Sequence, residues 1–212
     1  MKYNTLLFLL VISLGFTGCK KNPVYKVDPA LKATFSYQPG TYWIYKDSLS
    51  GRTDSFYVTN NLFTSTTADD ITIDQIGIVI CEKNIVPIVP PDLNDSSLWT
   101  VILENNQISV LWNYTKIELP EACVLANYPF SLGILPHSAN TNVTNIFSSF
   151  SVGSNTYTNV EEANCYDSIS PQVDHNNWFY LCSDVGIIKM RLNYPQVPIN
   201  RIWELQRWHI VK

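Results

Sequence analysis

The sequence predicts an all-β protein, built on an antiparallel curved sheet of half-barrel or open-barrel type with little helix. Apolar and polar residues alternate with a period of two, most clearly where Ile188, Met190 and Leu192 share one side of a strand. Charged residues make up only 15% of the chain, against about 25% in ordinary globular proteins. Aromatic residues reach 13%. This composition favours strands and turns over long surface helices, which need Glu, Lys, Ala and Leu.

The first predicted hairpin lies in the N-terminal third. Thr41–Lys46 forms an aromatic strand that is apolar on both sides, and Asp54–Thr59 returns after a turn. In the next apolar segment the isoleucines change from odd to even positions after Ile73. A shift of one residue moves the apolar set to the wrong face of a sheet. We therefore predict a β-bulge or break at residues 74–77.

A second hairpin is predicted in the middle of the chain. Leu98–Leu103 and Ile108–Trp112 are apolar segments on either side of the polar residues 104–107, and Asn tolerates the positive φ of a tight turn. Helical signals are weak here. Pro120–Ala126 is compatible with one or two helical turns that begin at proline, and Phe147–Phe150 fits either a helical turn or a strand.

The C-terminal third predicts a third hairpin and a bent last strand. Trp178–Cys182 and Ile187–Leu192 flank a turn at residues 183–186. The last strand changes phase between Leu205 and Trp208, which predicts a bulge at residues 206–207. Because bulges bend strands, a curved sheet is favoured over a flat sandwich.

The first nineteen residues resemble a bacterial lipoprotein signal. Lys2 supplies a positive start, Leu6–Phe16 is apolar or small, and small residues lead to Cys19. One difference is Phe16, which stands where the usual pattern has an aliphatic residue. The resemblance implies cleavage before Cys19, a thioether-linked diacylglycerol on its sulfur and a further acyl chain on the new N-terminus. More than one chain is needed for stable anchoring.

These landmarks divide the chain into a signal peptide over residues 1–18, a solvated tether over 19–33 and a single β-rich domain over 34–212. The residue after Cys19 is Lys20 and not Asp, which in enteric-type sorting would favour retention at the inner membrane. We therefore expect an outer-membrane anchor that faces the periplasm, with surface display as the second choice. The net charge of −4 and the lack of a basic stripe argue against nucleic-acid binding.

Four cysteines remain if Cys19 is lipidated, namely Cys81, Cys123, Cys165 and Cys182. An even number in an oxidising compartment permits two disulfides, with three connectivities. Short loops are easier to close, which favours the pairs Cys165–Cys182 and Cys81–Cys123. The alternative is that some of these side chains are small buried hydrophobes. No CxxC spacing supports a zinc site or thioredoxin-like chemistry.

The sequence offers no recognisable catalytic or metal-binding pattern. His137, His175 and His209 fit no zinc motif, and no nucleophile elbow accompanies them. A Ser-His-Asp triad whose members are far apart in the sequence is still compatible with the chain. The adjacent carboxylates Asp69–Asp70 and Glu161–Glu162 do not suit glycoside hydrolysis, because neighbours on a strand point to opposite faces. We expect no metal and no cofactor.

Four short segments resemble many uncharacterised Bacteroidota outer-membrane lipoproteins. They are Pro39–Asp47, Pro129–Gly133, Asp184–Lys189 and Trp203–Leu205. The resemblance implies a β-rich envelope lipoprotein and carries over no catalytic residue. Two tripeptides, Asp47-Ser48-Leu49 and Asp167-Ser168-Ile169, also resemble the O-glycosylation site of that phylum. Ser48 and Ser168 are therefore predicted to carry glycans.

We expect a non-catalytic envelope lipoprotein, attached to the membrane through its lipid, with a binding or structural role toward a protein, a glycan or a small apolar ligand. One alternative is a glycan-binding surface lipoprotein that uses exposed tryptophan faces. The strand patterns assign the six tryptophans to the core instead. A second alternative is a hydrolase acting on envelope polymers, which needs His175 or His137 to meet a carboxylate and a hydroxyl in one pocket. A filled interior would count against a small ligand.

Overall fold

The computed structural model describes residues 23–68, 71–82, 98–105, 107–113, 121–127, 129–130, 133–134, 141–166, 176–194 and 199–212. The described strands are β1 (Val24–Tyr25), β2 (Tyr42–Asp47), β3 (Thr53–Ala68), β4 (Ile71–Glu82), β5 (Leu98–Glu104), β6 (Gln107–Asn113), β7 (Glu121–Asn127), β8 (Gly133–Ile134), β9 (Thr141–Val152), β10 (Asn155–Tyr166), β11 (Asn176–Cys182), β12 (Gly186–Tyr194) and β13 (Ile199–His209). One helix, α1 (Pro29–Phe35), lies between β1 and β2. The predicted all-β class is confirmed.

All of these strands belong to one sheet with the order β7-β6-β5-β4-β3-β2-β13-β12-β11-β10-β9-β8, and β1 lies parallel to β4. Most connections join neighbouring strands. The exceptions among the described strands are β1 and β2, and β7 and β8, which are consecutive along the chain but are not paired. The pairing of β2 with β13 joins the two halves of the sheet. The sheet curls into an open half-barrel, so that β7 at one end packs against β9 and β10 near the other.

The core fills the inside of this curled sheet. Its side chains come from both halves of the chain, and along strands such as β2 and β12 they alternate with half-buried or exposed ones. Its fully buried members include Leu31, Phe35, Ile78, Leu103, Ile108, Val160, Phe179, Ile188, Met190 and Leu205. One continuous apolar cluster therefore holds the sheet in its curved shape.

The turns of two predicted hairpins use positive φ angles as expected. Asn105 between β5 and β6 has φ 52°. Between β11 and β12, Asp184 has φ 65° and Gly186 has φ 98°. Asn, Asp and Gly are the residues that accept such angles at low cost. Both hairpins are confirmed.

One predicted bulge is confirmed and the other is wrong. In the pairing of β13 with β2, Leu205 opposes Tyr45 and Arg207 opposes Ile44, which leaves Gln206 as the extra residue of a bulge. In contrast, β4 runs without a break through residues 74–77. The register shift of that hairpin lies in β3 instead, between Val58 and Asn60.

The change of phase in β4 is tolerated because the end of the β3–β4 hairpin projects from the half-barrel. We call residues 61–68 and 71–75 the β3–β4 arm. Leu62 is 49% exposed, Phe63 is 63% exposed and Ile71 is 37% exposed. Where neither face is buried, the apolar residues of a strand need not keep one phase.

Two further predictions are wrong. Pro120–Ala126 is not helical, because β7 occupies Glu121–Asn127 as the neighbour of β6. The predicted tether also extends too far, because β1 and most of α1 lie within residues 19–33 and belong to the folded domain. Phe147–Phe150, left open between turn and strand, lies inside β9.

Helix α1 closes one end of the half-barrel. The carboxylate of Asp28 accepts hydrogen bonds from the backbone N–H groups of Ala30 at 2.8 Å and Leu31 at 3.0 Å, and Pro29 takes the first helical position. Leu31 and Phe35 point into the core. No helix within the described residues has the length and hydropathy needed to cross a membrane.

Replacing the N-cap residue of α1 should lower the stability of the folded domain. We expect Asp28→Ala to lower the free energy of unfolding by about 1 kcal/mol, because two backbone N–H groups lose their acceptor. Urea denaturation followed by tryptophan fluorescence measures it. Asp28→Asn keeps a capping oxygen and is the matched control, with an expected loss of a few tenths of that amount. An equal loss in both variants would show that the cap itself contributes nothing.

Candidate functional site

The described side chains fill most of the space that they enclose inside the half-barrel. A cavity of about 40 Å³ remains, lined by apolar and aromatic residues that include Phe35, Trp43, Phe56 and Met190. Ligand pockets for small molecules are typically about 300–1,000 Å³. An apolar cavity of this size also gives water few hydrogen-bonding partners. Where the described residues line it, this cavity is therefore smaller than a typical small-molecule site and is surrounded by core side chains.

The cavity wall is fixed by hydrogen bonds between β2 and the β11–β12 hairpin. The indole N–H of Trp43 donates to the carbonyl of Val185 at 2.7 Å, and the hydroxyl of Tyr45 donates to the carbonyl of Ile187 at 2.6 Å. Gly186 lies against Tyr37, where an added Cβ would meet the hydroxyl oxygen at 3.0 Å. These contacts lock the wall and leave it little freedom to open.

Glu161 is the most unusual buried group of the described structure. Its side chain is fully buried on β10, between Leu181 of β11 and Ile146 of β9. Neither carboxyl oxygen has a hydrogen-bonding partner. Burial raises the pKa of Glu161 to about 8. The carboxyl group therefore keeps its proton at neutral pH, where most glutamates are ionised.

The neighbouring Glu162 has the opposite electrostatic environment. Burial acts to raise its pKa, but hydrogen bonds from Thr144, Asn145 and Tyr180 outweigh burial and lower the pKa below the ordinary glutamate value. The Asn145 amide donates at 3.0 Å, and the Thr144 hydroxyl donates to the same carboxylate oxygen. Strand alternation places Glu161 and Glu162 on opposite faces of β10.

Glu162 belongs to a polar and aromatic cluster on β9 to β13. The ring of Tyr180 stacks on Phe150 with centroids 4.8 Å apart, and Lys189 lies 6.0 Å from the Tyr180 ring centroid. Lys189 also forms a salt bridge with Glu204 at 2.9 Å. Three donors already occupy the Glu162 carboxylate, so the cluster has the character of a structural network and not of a free general base.

Apolar side chains are exposed mainly on the β3–β4 arm and beside it. Five of the eight large hydrophobic residues exposed in the described structure lie here. They are Val24, Tyr25, Leu62, Phe63 and Ile71. Beyond Val58, whose N–H donates to the carbonyl of Thr41, no described strand lies along the outer edge of β3. Exposed apolar clusters and unpaired edges are features that proteins use for interaction.

The tryptophans do not form an exposed stacking platform within the described residues. Trp43 and Trp203 are buried in the core. Trp178 and Trp208 are half-buried, and Trp208 packs against the Tyr157 ring with centroids 5.6 Å apart. The side chains of Trp99 and Trp112 lie outside the described residues. These placements support the assignment of tryptophan to the core.

Of the remaining predicted site residues, the structure describes Ser48 and His209. Ser48 is exposed in the turn between β2 and β3, so its hydroxyl is accessible for the predicted glycan. His209 lies near the end of β13, with its ring 5.8 Å from that of Tyr42. Cys19, Ser168, His137 and His175 lie outside the described residues. Glycosylation of both serines stays a prediction.

The predicted cysteine pairs are wrong. Cys182 is a buried free thiol, and burial raises its pKa to about 11. In the β10–β11 ladder, Cys182 opposes Val160 whereas Cys165 opposes Asn177. Five residues along a strand correspond to about 17 Å, while a disulfide needs Cα atoms less than about 7 Å apart.

The second predicted pair fails for a related reason. Cys81 lies on β4 and Cys123 lies on β7, with β5 and β6 between them. Three strand spacings amount to about 14 Å, again too far for a disulfide. The number of residues between two cysteines therefore does not predict the distance between their Cα atoms. In an antiparallel sheet that distance depends on strand order and register.

Within the described residues, no three His, Cys, Asp or Glu side chains gather closely enough to hold a metal ion. No known family model matches the sequence, and no curated protein matches it. No solved structure matches the fold. The candidate site therefore has to be judged on its own geometry.

Proposed function

We propose that this chain is a non-catalytic envelope lipoprotein, held to a membrane by lipid on Cys19, whose folded body acts through its outer surface in a binding or structural role. The observation that carries the proposal is the pattern of Lys2, Leu6–Phe16 and Cys19. The outer membrane, with the body facing the periplasm, is the proposed location, and surface display is the second choice.

The short distance between Cys19 and the folded domain supports an anchoring role. The carbonyl of Pro23 accepts a hydrogen bond from the N–H of Thr72 at 3.0 Å, and Val24 pairs with the same residue of β4. Five residue steps separate Cys19 from Val24, so their Cα atoms lie at most about 17–18 Å apart. A lipid on Cys19 would hold the β3–β4 arm close to the membrane.

The filled interior supports a role for the outer surface. The 40 Å³ cavity is too small for a sugar or a lipid chain. In contrast, the β3–β4 arm exposes Leu62 and Phe63 on β3, and its other strand, β4, pairs with the strand β1 that leads back to Cys19. The arm is therefore the part of the described surface best suited to contact with another component of the envelope.

Metabolic labelling with an alkyne analogue of palmitate tests the anchor. We expect the full chain, produced in a bacterium that processes lipoproteins, to incorporate the label and to sediment with membranes. Cys19→Ala should lose both properties, because no other residue can carry the thioether lipid. Cys182→Ser is the matched control, and should keep the label and the membrane association. Unlabelled wild-type protein, or label retained in Cys19→Ala, would refute the proposal.

A further inference from the structure

We propose that Cys165 forms a disulfide with Cys123, and that this bond joins the two ends of the curled sheet. Cys123 lies on β7 at one end of the strand order, and Cys165 lies on β10 near the other end. The bond would turn an open half-barrel into a covalently closed one. The proposal replaces the two pairs predicted from sequence separation.

The chemical state of the described cysteine side chains is the first support. Cys182 is free, whereas Cys165 is disulfide-bonded. Cys165 is only 7% exposed and belongs to the core cluster. Its partner must therefore reach the inside of the sheet near the C-terminal end of β10. Besides Cys182, the chain offers Cys19, Cys81 and Cys123.

Strand neighbours and strand faces favour Cys123. Among the described strands, β7 packs against both β9 and β10. In the β6–β7 ladder, the core residue Ile108 opposes Ala126, and Val110 opposes Cys123 after the register shift. Because Ile108 and Val110 are two residues apart, the alternation of β6 places Cys123 at a core-facing register position.

The same criteria exclude Cys81. Strand β4 lies beside β1, β3 and β5, and not beside β10. The even-numbered Ile78 and Ile80 of β4 are buried in the core, so strand alternation places position 81 on the opposite face of the sheet. The exclusion of Cys19 rests on the proposed function, because a lipid thioether leaves no free thiol on that residue.

The proposed bond would act where the two ends of the strand order meet. The strand order ends at β7 on one side and at β8 on the other, and among the described residues β7 lies close to β9 and β10 without being paired with either in a ladder. A covalent link between residues 123 and 165 also closes a loop in the unfolded chain, which reduces its conformational entropy. The bond therefore favours the curled form over a flattened sheet.

The chemistry needs one oxidant. Each thiol gives up one proton and one electron, and the two sulfur atoms form the new bond. A protein disulfide of the thiol oxidase class, present in oxidising compartments, accepts the two electrons by thiol–disulfide exchange and becomes a dithiol. Cys182, buried and with a raised pKa, is a poor competitor in that exchange.

Peptide mapping of the full wild-type chain tests the connectivity. Free thiols are first blocked with N-ethylmaleimide in denaturant at mildly acidic pH, without a reductant. Trypsin alone cannot resolve the pairs, because no Lys or Arg lies between Lys116 and Lys189, a stretch with three cysteines. A Glu-specific protease combined with chymotrypsin separates them, since it can cut at Glu121, Phe130, Glu162 and Tyr166.

We expect the fragment 122–130 joined to the fragment 163–166, with Cys81 and Cys182 blocked by maleimide. A blocked Cys165, or a link from 163–166 to a fragment that holds Cys19, Cys81 or Cys182, would overturn the proposal. This result depends on no variant and on no lipid. A failure of Cys19 lipidation with the 123–165 link intact would refute the proposed function alone.

Variants test whether the bond stabilises the fold. We expect Cys123→Ser and Cys165→Ser to lower the urea midpoint equally, to the value of the reduced wild-type protein, and the double variant to show no further loss. Cys81→Ser makes the same chemical change three strands away from β7 and is the matched control, and its urea midpoint should still fall on reduction. A wild-type midpoint that does not respond to the reductant would contradict the stabilising role.

Discussion

Raising the pH from 5 to 8 should destabilise the folded chain by several kcal/mol, and Glu161 should account for it. Its pKa is about 8 in the fold, against an ordinary glutamate pKa of 4.5. Between these values the folded chain holds a proton that the unfolded chain has released. Stability therefore falls as the pH rises, by up to about 1.4 kcal/mol per pH unit. The full shift corresponds to at most about 5 kcal/mol.

Urea denaturation at a series of pH values measures this slope. Glu161→Gln keeps the size of the side chain and has no proton to release, so its stability should change much less between pH 5 and 8. Glu162→Gln is the matched control on the adjacent residue. The Glu162 pKa is lowered in the fold, so this variant should lose stability near neutral pH and keep the wild-type slope. Equal slopes in wild type and Glu161→Gln would show that Glu161 is not the titrating group.

The sequence contained enough information for the strands but not for the neighbours of each strand. Alternation located the β5–β6 and β11–β12 hairpins, because a half-buried strand imposes its period directly on the residues. The change of phase at Gln206 was visible for the same reason. The same change of phase at residues 74–77 gave a wrong prediction of a bulge. That prediction assumed that one face of the strand is buried, which is not the case in the β3–β4 arm.

Helix α1 was missed although its local signals are present. Asp28 followed by Pro29 is a common start of a helix, and Leu31 and Phe35 lie one turn apart on its buried side. The segment is only seven residues long, and its sequence does not show which apolar surface it packs against. From the sequence alone, most of it is therefore placed in the tether. That partner is the open end of the half-barrel, which forms only when distant strands curl together.

The buried carboxyl of Glu161 illustrates the same limit for the candidate site. Alternation correctly implies that Glu161 and Glu162 face different surroundings, but it cannot say which of the two buried carboxyl groups lacks hydrogen-bond donors. The answer depends on β11, where Leu181 opposes Glu161 and Tyr180 opposes Glu162. Those partners lie about twenty residues away along the chain. The raised pKa of Glu161 therefore cannot be predicted from the residues next to it in the sequence.

Removing the Phe35 ring should show how strongly the folded domain depends on α1. Phe35 is 1% exposed, lies 6.3 Å from the Phe130 ring centroid and lines the interior cavity. We expect Phe35→Ala to lower the free energy of unfolding by about 3–5 kcal/mol, because it removes buried apolar surface and enlarges the cavity. Urea denaturation measures the loss.

The chain provides its own control for this substitution. Phe63 on the β3–β4 arm is 63% exposed, so Phe63→Ala makes the same chemical change with an expected effect within about 0.5 kcal/mol. Brief trypsin digestion adds a local readout at Lys32, which is exposed within α1. Cleavage there should become faster in Phe35→Ala and not in Phe63→Ala, because cleavage needs the helix to leave the half-barrel. Equal stability of the two variants would mean that α1 is the dispensable tether that its position in the sequence suggested.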